Sequence, residues 1–179
     1  MSYKTLGMMK DAGMGKDVND LMAGVDGVPY LLSNQREIYR VTVSVHKRMV
    51  QGDFLLNTAG GSHGQFIFVM DGEGAIYSAN KDVVNHHSAF LAGGAVAAAG
   101  WWSVEYGALK TISNDSGHYQ PPMDYTKQVL VELKKLGLDI SGVTQNWTGV
   151  DSQTLARRTA ARNITFNRIG AKGVIKSAF

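Results

Sequence analysis

Residues 65–79 read QFIFVMDGEGAIYSA, and this stretch decides the fold. Two apolar segments, Gln65–Met70 and Ala75–Ala79, flank the turn Asp71-Gly72-Glu73-Gly74. Glycine adopts positive φ angles at little cost, so such a turn readily joins two antiparallel strands. The stretch therefore predicts a β-hairpin at the centre of the domain.

A second hairpin is predicted in residues 95–113, AVAAAGWWSVEYGALKTIS, where Tyr106-Gly107 forms the turn. In the segment Glu37–Val45, β-branched residues alternate with other side chains, which is typical of a strand with one buried face. The strands predicted beyond the first hairpin are Glu37–Val45, Ala95–Glu105, Ala108–Ser113 and Asp139–Trp147.

Pro121 and Pro122 precede a segment with helical spacing of its apolar residues. Asp124 is expected to cap this helix by accepting hydrogen bonds from first-turn amides. Gly137 is a natural stop, and lysines before it suit the negative end of the helix dipole. The apolar stripe comprises Tyr125, Val129, Leu133 and Leu136.

Together these elements predict an α+β fold: a mostly antiparallel sheet of hairpins, one amphipathic helix packed on it, and short terminal helices. One domain spanning residues 1–179 is the economical interpretation. It divides into a weakly structured N-terminal segment 1–35, a core 36–147 and a basic C-terminal segment 151–179. The terminal helices are predicted at Lys16–Met22 and Ser152–Arg162.

Composition excludes several classes of protein. The chain has 179 residues, 44% hydrophobic and 18% charged, as in a folded globular domain. No apolar run approaches the roughly 20 residues that span a bilayer. The absence of cysteine excludes disulfides, thiolate chemistry and cysteine-based zinc sites. No signal-peptide pattern opens the sequence, so a cytoplasmic location in the producing cell is expected, with delivery to a target cell left open.

Charge is unevenly distributed along the chain. Segment 151–179 carries six cations and one carboxylate, a net charge of +5, so the remaining 150 residues carry −2. Such a segment can contact an acidic partner or nucleic acid, or it can be a solvated helix and tail. No recognised nucleic-acid motif accompanies it.

Three of the five histidines lie in two short segments, His86-His87-Ser88 and Ser116-Gly117-His118-Tyr119. Loops at strand ends commonly carry catalytic groups, because the sheet holds them rigidly. A histidine beside a serine hydroxyl can activate a nucleophile, with Asp115 or Asp82 as the orienting carboxylate. However, no Gly-x-Ser-x-Gly nucleophile elbow is present.

Two other interpretations of the histidines remain open. His86, His87 and His118 with Asp115 could supply metal ligands, but adjacent histidines on an extended segment point to opposite faces. At most one of the pair would then reach a shared ion, so no metal site is predicted. Alternatively, His87 and His118 are structural and hydrogen-bond to neighbouring loops.

An ordered series of motifs carries a resemblance to known families. The motifs are FVMD at 68–71, IYS at 76–78, HHSxFLAG at 86–93 and SGHYxP at 116–121. The series resembles a module at the C-terminus of many bacterial polymorphic toxins and secreted effectors. It is also similar to the core of plant IQ-motif-containing calmodulin-binding proteins. The similarity covers about Gln35 to Val143. The calmodulin-binding IQ helix has no counterpart in this chain, so calmodulin is not expected as a partner.

The resemblance implies an effector- or toxin-type module with a pocket between the two histidine loops. The reaction implied is transfer or hydrolysis on a nucleotide or host macromolecule, with NAD a candidate substrate for ADP-ribosyl transfer and cofactors otherwise unknown. Toxin modules of this kind carry an acid after the Ala-Gly pair; here Trp101 stands there and Glu105 is the nearest acid on the strand. The candidate catalytic residues are His87, His118 and Glu105, and the candidate substrate-binding residues are His86, Ser88, Gly93, Gly94, Ser116, Tyr119 and Trp101.

The alternative is a non-catalytic module that uses the same loops for recognition or assembly. A binding module needs the same convergence of polar residues on two loops but no reactive nucleophile. The partner is then a protein, while the enzymatic interpretation calls for a protein or nucleotide target.

Overall fold

A computed structural model describes residues 2–7, 28–149, 151–154 and 156. Over these residues the chain forms one sheet of eight strands in the order β3-β2-β1-β5-β4-β6-β7-β8. Neighbouring strands are antiparallel except for β7 and β8, which are parallel. The strands are β1 (Arg40–Val43), β2 (Met49–Gln51), β3 (Phe54–Leu55), β4 (Phe66–Met70), β5 (Ile76–Ala79), β6 (Ala98–Glu105), β7 (Ala108–Ser113) and β8 (Thr144–Asn146).

Short helices complete the described part. They are α1 (Ser33–Arg36) followed by a 3-10 turn (Glu37–Tyr39), a second 3-10 turn (Ser62–Gly64), α2 (His87–Phe90) and α3 (Met123–Lys135). The expected α+β class with a mostly antiparallel sheet is confirmed. No helix among the described residues is long and apolar enough to cross a membrane.

Strand β4 lies in the middle of the sheet, and both of its faces are buried. Phe68 and Met70 belong to one apolar cluster, and Ile67 and Val69 belong to a second cluster on the opposite face. This explains the uninterrupted apolar sequence of β4, since a half-exposed strand would alternate with polar residues. The predicted hairpin with β5 is confirmed, with Asp71 Oδ1 accepting two backbone hydrogen bonds of 2.9 Å across the turn.

The first cluster fills the space between the sheet and α3. Trp102 stacks on Phe68 with ring centroids 4.4 Å apart, and its indole N–H donates to the Ser78 hydroxyl. Val129 and Leu133 of α3 are fully buried in the same cluster. The second cluster lies on the other face, where α2 and Tyr119 pack.

Gly100 on β6 permits a close crossing of the chain. A Cβ atom there would overlap the Ser113 carbonyl oxygen and lie 3.2 Å from Asn114 Cα. The absence of a side chain thus lets the segment after β7 pass tightly over β6. Residues 114–121 follow this crossing, and Tyr119 among them is buried in the second cluster together with Ala89 and Phe90 of α2.

Several predicted strands are shorter than expected. The Glu37–Val45 segment begins with the 3-10 turn and is extended only over Arg40–Val43, since residues 44–47 already turn into β2. Strand β6 begins at Ala98, because residues 95–97 bend away and Val96 pairs with Leu6. The last strand contains only Thr144–Asn146 of the Asp139–Trp147 prediction.

The prediction that Asp124 caps α3 is wrong. The N-cap position is Pro122, and no side chain caps this end. Asp124 instead accepts hydrogen bonds from the backbone amide (2.7 Å) and the hydroxyl of Ser152. Its carboxylate therefore fixes the segment that follows β8 and not the first turn of α3.

The N-terminal residues 2–7 are more firmly held than the sequence predicts. Leu6 forms an antiparallel bridge with Val96, and the Tyr3 hydroxyl donates to Glu132 Oε2 at 2.5 Å. Burial, together with the hydrogen bond to Glu132, raises the pKa of Tyr3 to about 12. The predicted helix at 16–22 lies outside the described residues, as does most of the predicted helix at 152–162.

Replacing Gly100 with alanine is expected to destabilise the domain by about 3 kcal/mol, because the new methyl group has no room beside the Ser113 carbonyl. Urea denaturation measures the loss. The matched control is Gly142→Ala, where an added Cβ meets nothing within 4 Å, and where a change within about 0.5 kcal/mol is expected. Equal stability of the two variants would contradict the tight crossing.

Candidate ligand pocket

Two loops form the walls of a pocket on the second face of the sheet. The first leads from β5 into α2, and the second runs from Asn114 to Pro121. Asn114 fixes the second loop, since its amide donates to the carbonyls of Pro121 (2.8 Å) and Thr148 (2.9 Å). Both loops therefore begin at strand ends, and the second is held by hydrogen bonds to backbone carbonyls.

The cavity between these loops has a volume of about 350 Å³. Its rim consists of exposed residues, and its floor consists of buried or half-buried side chains. The lining residues are Ile67, Lys81, Asn85, His86, His87, Trp101, Asp115, Gly117 and His118.

His87 lies at the floor with only 7% of its surface exposed. Its Nε2 is 2.9 Å from the carbonyl oxygen of Gly100, so Nε2 must carry the hydrogen and donate. Within the described part of the chain, Nδ1 has no hydrogen-bond partner. Among the described residues, Arg36 Nε is the one buried side-chain atom that lacks a hydrogen-bond partner. Because His87 Nδ1 also lacks a partner but is not among such buried atoms, it is open to solvent in the cavity.

Burial lowers the pKa of His87 to about 4, against 6.5 for a free imidazole. The hydrogen bond to Gly100 opposes this shift, while the positive charges of His118, His86 and Lys81 add to it. His87 is therefore neutral at physiological pH and offers an Nδ1 lone pair to the cavity.

His118 and Ser88 form a second fixed pair. The Ser88 hydroxyl lies 3.0 Å from His118 Nδ1, and the ring of His118 stacks on that of His86 at 5.0 Å. A serine–histidine contact is what nucleophilic catalysis requires. However, Ser88 is 0% exposed and lies behind the imidazole, so its hydroxyl orients the ring and has no access to a ligand.

The remaining wall is aromatic and charged. Lys81 Nζ lies 5.6 Å from the centroid of the Trp101 ring, within the range of a cation–π contact. The same indole meets the edge of His87 at 6.4 Å. Asp115 lines the rim and is exposed. The pocket thus combines an aromatic wall with one cation and one anion near its mouth.

The structure brings together four of the residues proposed from the sequence, namely His86, His87, His118 and Trp101. The expectation that His86 and His87 face opposite ways is wrong. The segment is extended only at His86, and α2 starts at His87, so both rings turn toward the same cavity. Over the described residues, no group of three or more potential ligands has the arrangement of a metal site.

Glu105 is not part of the pocket. It lies at the far end of β6, about 13 Å along the strand from Trp101 at 3.3 Å per residue. Its side chain is 65% exposed and 3.6 Å from Lys110 Nζ. The structure therefore does not bring this carboxylate to the histidines.

The other proposed residues support the pocket from behind. The Tyr119 hydroxyl donates to the Gly94 carbonyl at 2.7 Å, and the Tyr119 backbone amide contacts the Ser116 hydroxyl. Gly93 donates its amide to the Ser88 carbonyl. The Tyr119–Gly94 bond joins the second loop to the segment after α2, and the other two bonds lie within each segment, so Gly93, Gly94, Ser116 and Tyr119 support the cavity without lining it.

Sequence reasoning missed several lining residues. Ile67 faces the cavity because it pairs with Trp101 across β4 and β6. Because every residue of β4 is apolar, the sequence pattern does not show which face Ile67 occupies. Lys81 and Asn85 precede the histidines in the first loop. The only feature of the sequence that could have identified them as lining residues is that they lie close to His86-His87. Asp115 was weighed only as a metal ligand or triad carboxylate.

Because His87 has a lower pKa in the folded state than in the unfolded chain, unfolding takes up a proton below pH 6.5. The His87 contribution to stability is therefore fully present above pH 6.5 and falls as the pH drops toward 4. His87→Gln removes this titration. Between pH 7 and 4.5, wild type is expected to lose about 2–3 kcal/mol more than His87→Gln in urea denaturation. Parallel pH profiles would contradict the assignment.

Tyr119→Phe is expected to cost about 1 kcal/mol, because the part-buried hydrogen bond from the Tyr119 hydroxyl to the Gly94 carbonyl is lost. Tyr106→Phe serves as the matched control, since Tyr106 is 72% exposed in the β6–β7 turn. Thermal or urea denaturation of the two variants compares the losses. A loss no larger than that of the control would show that the bond does not join the loops.

Comparisons with known proteins place the chain in a family. Residues 35–126 match the model described as the IQ motif-containing protein middle domain. IQ domain-containing protein IQM3 of Arabidopsis thaliana is 36% identical over 132 residues, 71% of this chain and 28% of that protein. IQM2 of the same plant is 33% identical over 165 residues, 86% of this chain and 27% of that protein. No solved structure gives a significant match.

The chain spans little more than a quarter of the length of these relatives. The interpretation as an effector, toxin-like module or transferase is wrong, because the relatives are plant IQ domain-containing proteins. The resemblance to plant IQ-motif-containing proteins is confirmed over the segment that carries the pocket. The chain belongs to the family defined by the IQ motif-containing protein middle domain.

Proposed function

We propose that this domain is a non-catalytic recognition module that binds a protein partner through the histidine pocket. The observation that carries the proposal is the pocket itself: a preformed cavity whose floor is fixed by buried hydrogen bonds. Family membership agrees with it, because the relatives are named for an IQ domain and not for a reaction.

The size and rigidity of the cavity suit recognition. A volume of about 350 Å³ is at the small end of ligand pockets, which span roughly 300–1,000 Å³. It is large enough for one side chain of a partner. Because His87 and His118 are held by Gly100 and Ser88, little conformational freedom is lost when a ligand binds.

The contacts of the polar groups also favour binding over catalysis. Ser88, the nucleophile that a hydrolase would need, is fully buried behind His118. Glu105, the acid that a transferase would need, is exposed at another end of the sheet. The groups that do reach the cavity are hydrogen-bonding and aromatic surfaces.

The basic segment 151–179 supports a partner with an acidic surface. Its net charge of +5 would increase the association rate with such a protein and make that rate sensitive to salt. We propose that the pocket supplies specificity, while this segment contributes long-range attraction.

Site-specific photo-crosslinking in cells that express the full chain tests the proposal. A crosslinking amino acid at Asn85, on the pocket rim, is expected to trap one dominant protein. The same group at Asp53, exposed in the turn between β2 and β3, is the matched control and is expected to trap none of it.

Adding Trp101→Ala to the Asn85 variant is expected to reduce the adduct at least about tenfold, since the aromatic wall is lost. An adduct of equal yield from both crosslinking positions, or one that survives Trp101→Ala unchanged, would refute recognition through the pocket.

A further inference from the structure

We infer that the pocket receives an aromatic ring carrying a hydroxyl group, and that this hydroxyl donates a hydrogen bond to His87 Nδ1. In the partner, such a group is a tyrosine side chain; a free phenol presents the same chemistry. The assignment to tyrosine rests on the proposed function, whereas the phenol chemistry rests on the pocket alone.

The acceptor at the floor is the first step. His87 is more than nine-tenths buried, and its Nε2–H is committed to the Gly100 carbonyl. Nδ1 therefore presents a lone pair to the cavity, without a partner among the described residues. A ligand that supplies an O–H or N–H donor at this point pairs with Nδ1, whereas a ligand without a donor would bury the acceptor unpaired at a cost in free energy.

The walls select a flat apolar body. Ile67 lies directly opposite Trp101 across β4 and β6, and the indole is only half-buried. On the other side of the cavity, the rings of His86 and His118 are stacked with an interplanar angle of 28°. Aromatic rings pack favourably in offset or edge-on contact with such surfaces.

Charge decides which donor enters. A carboxylate or phosphate has only acceptors to offer, so it would repel the lone pair of His87 Nδ1 at the floor. A guanidinium or ammonium group could donate, but it would meet the Lys81 ammonium that lies over Trp101, while the Asp115 carboxylate that attracts it is exposed at the rim and screened by water. A neutral hydroxyl on an aromatic ring avoids both penalties.

To test the inference, the full wild-type chain is titrated with small-molecule probes, and NMR or calorimetry measures their binding. The probe is p-cresol, the side-chain analogue of tyrosine. The matched control is 4-methylanisole, which has a similar ring but a methyl ether in place of the donor. p-Cresol is expected to bind at least about tenfold more tightly, because only it pairs with Nδ1. 4-Methylbenzoate is expected to bind more weakly than p-cresol.

Variants locate the effect. His87→Phe keeps a ring but removes the acceptor, so it is expected to abolish the difference between p-cresol and 4-methylanisole. Glu105→Gln, remote from the cavity, is expected to keep the difference. Equal binding of the two probes to wild type, no saturable binding of p-cresol, or a difference that persists in His87→Phe would each overturn the inference. The comparison on wild type holds even if His87→Phe fails to fold.

The two experiments separate the inference from the proposed function. A specific crosslink at Asn85 without p-cresol binding would leave protein recognition in place and overturn the phenol assignment. Binding of p-cresol at His87 without a specific crosslink would leave the phenol site in place and refute recognition of a protein through it.

Discussion

Gly100 is the position on which the rest of the structure depends. Its missing side chain lets the Ser113–Asn114 segment cross β6 at close range, and its carbonyl accepts the hydrogen bond from His87. Gly100 thus has two roles: it permits the close crossing at the end of β7, and its carbonyl fixes the imidazole at the floor of the pocket. A side chain at this position would collide with the Ser113 carbonyl oxygen.

Burial then gives the histidines their chemistry. Removing His87 from water disfavours its charged form, and the Gly100 carbonyl determines which nitrogen holds the proton. The neutral imidazole of His87 therefore presents a hydrogen-bond acceptor whose protonation state does not change over the physiological pH range. His118 is treated differently, since its Nδ1 faces a serine hydroxyl and its ring is stacked on His86. Two similar side chains therefore present different surfaces in one cavity.

The domain also uses its polar residues to join distant parts of the chain. Asn114 connects the second loop to the segment after β8, Asp124 holds Ser152, and Glu132 receives Tyr3 from the N-terminal segment. Each of these groups is buried or partly buried, so leaving any of them unpaired would be costly. Such contacts explain why residues 2–7 and 151–154 lie against a core that is separated from them by many residues in sequence.

The sequence by itself determined the hairpins, because the apolar segments and the Asp71–Gly74 and Tyr106–Gly107 turns between them are local signals. It also identified the histidine loops, since their residue types are unusual in an apolar setting. It could not determine the roles of Asp124 and Glu105, because those depend on what lies nearby in space. Only the tertiary structure decided that His86 and His87 face one cavity, that Ser88 is buried behind His118, and that Ile67 forms a wall. The physical reason is that burial and hydrogen-bond partners come from strands and loops that meet only after folding.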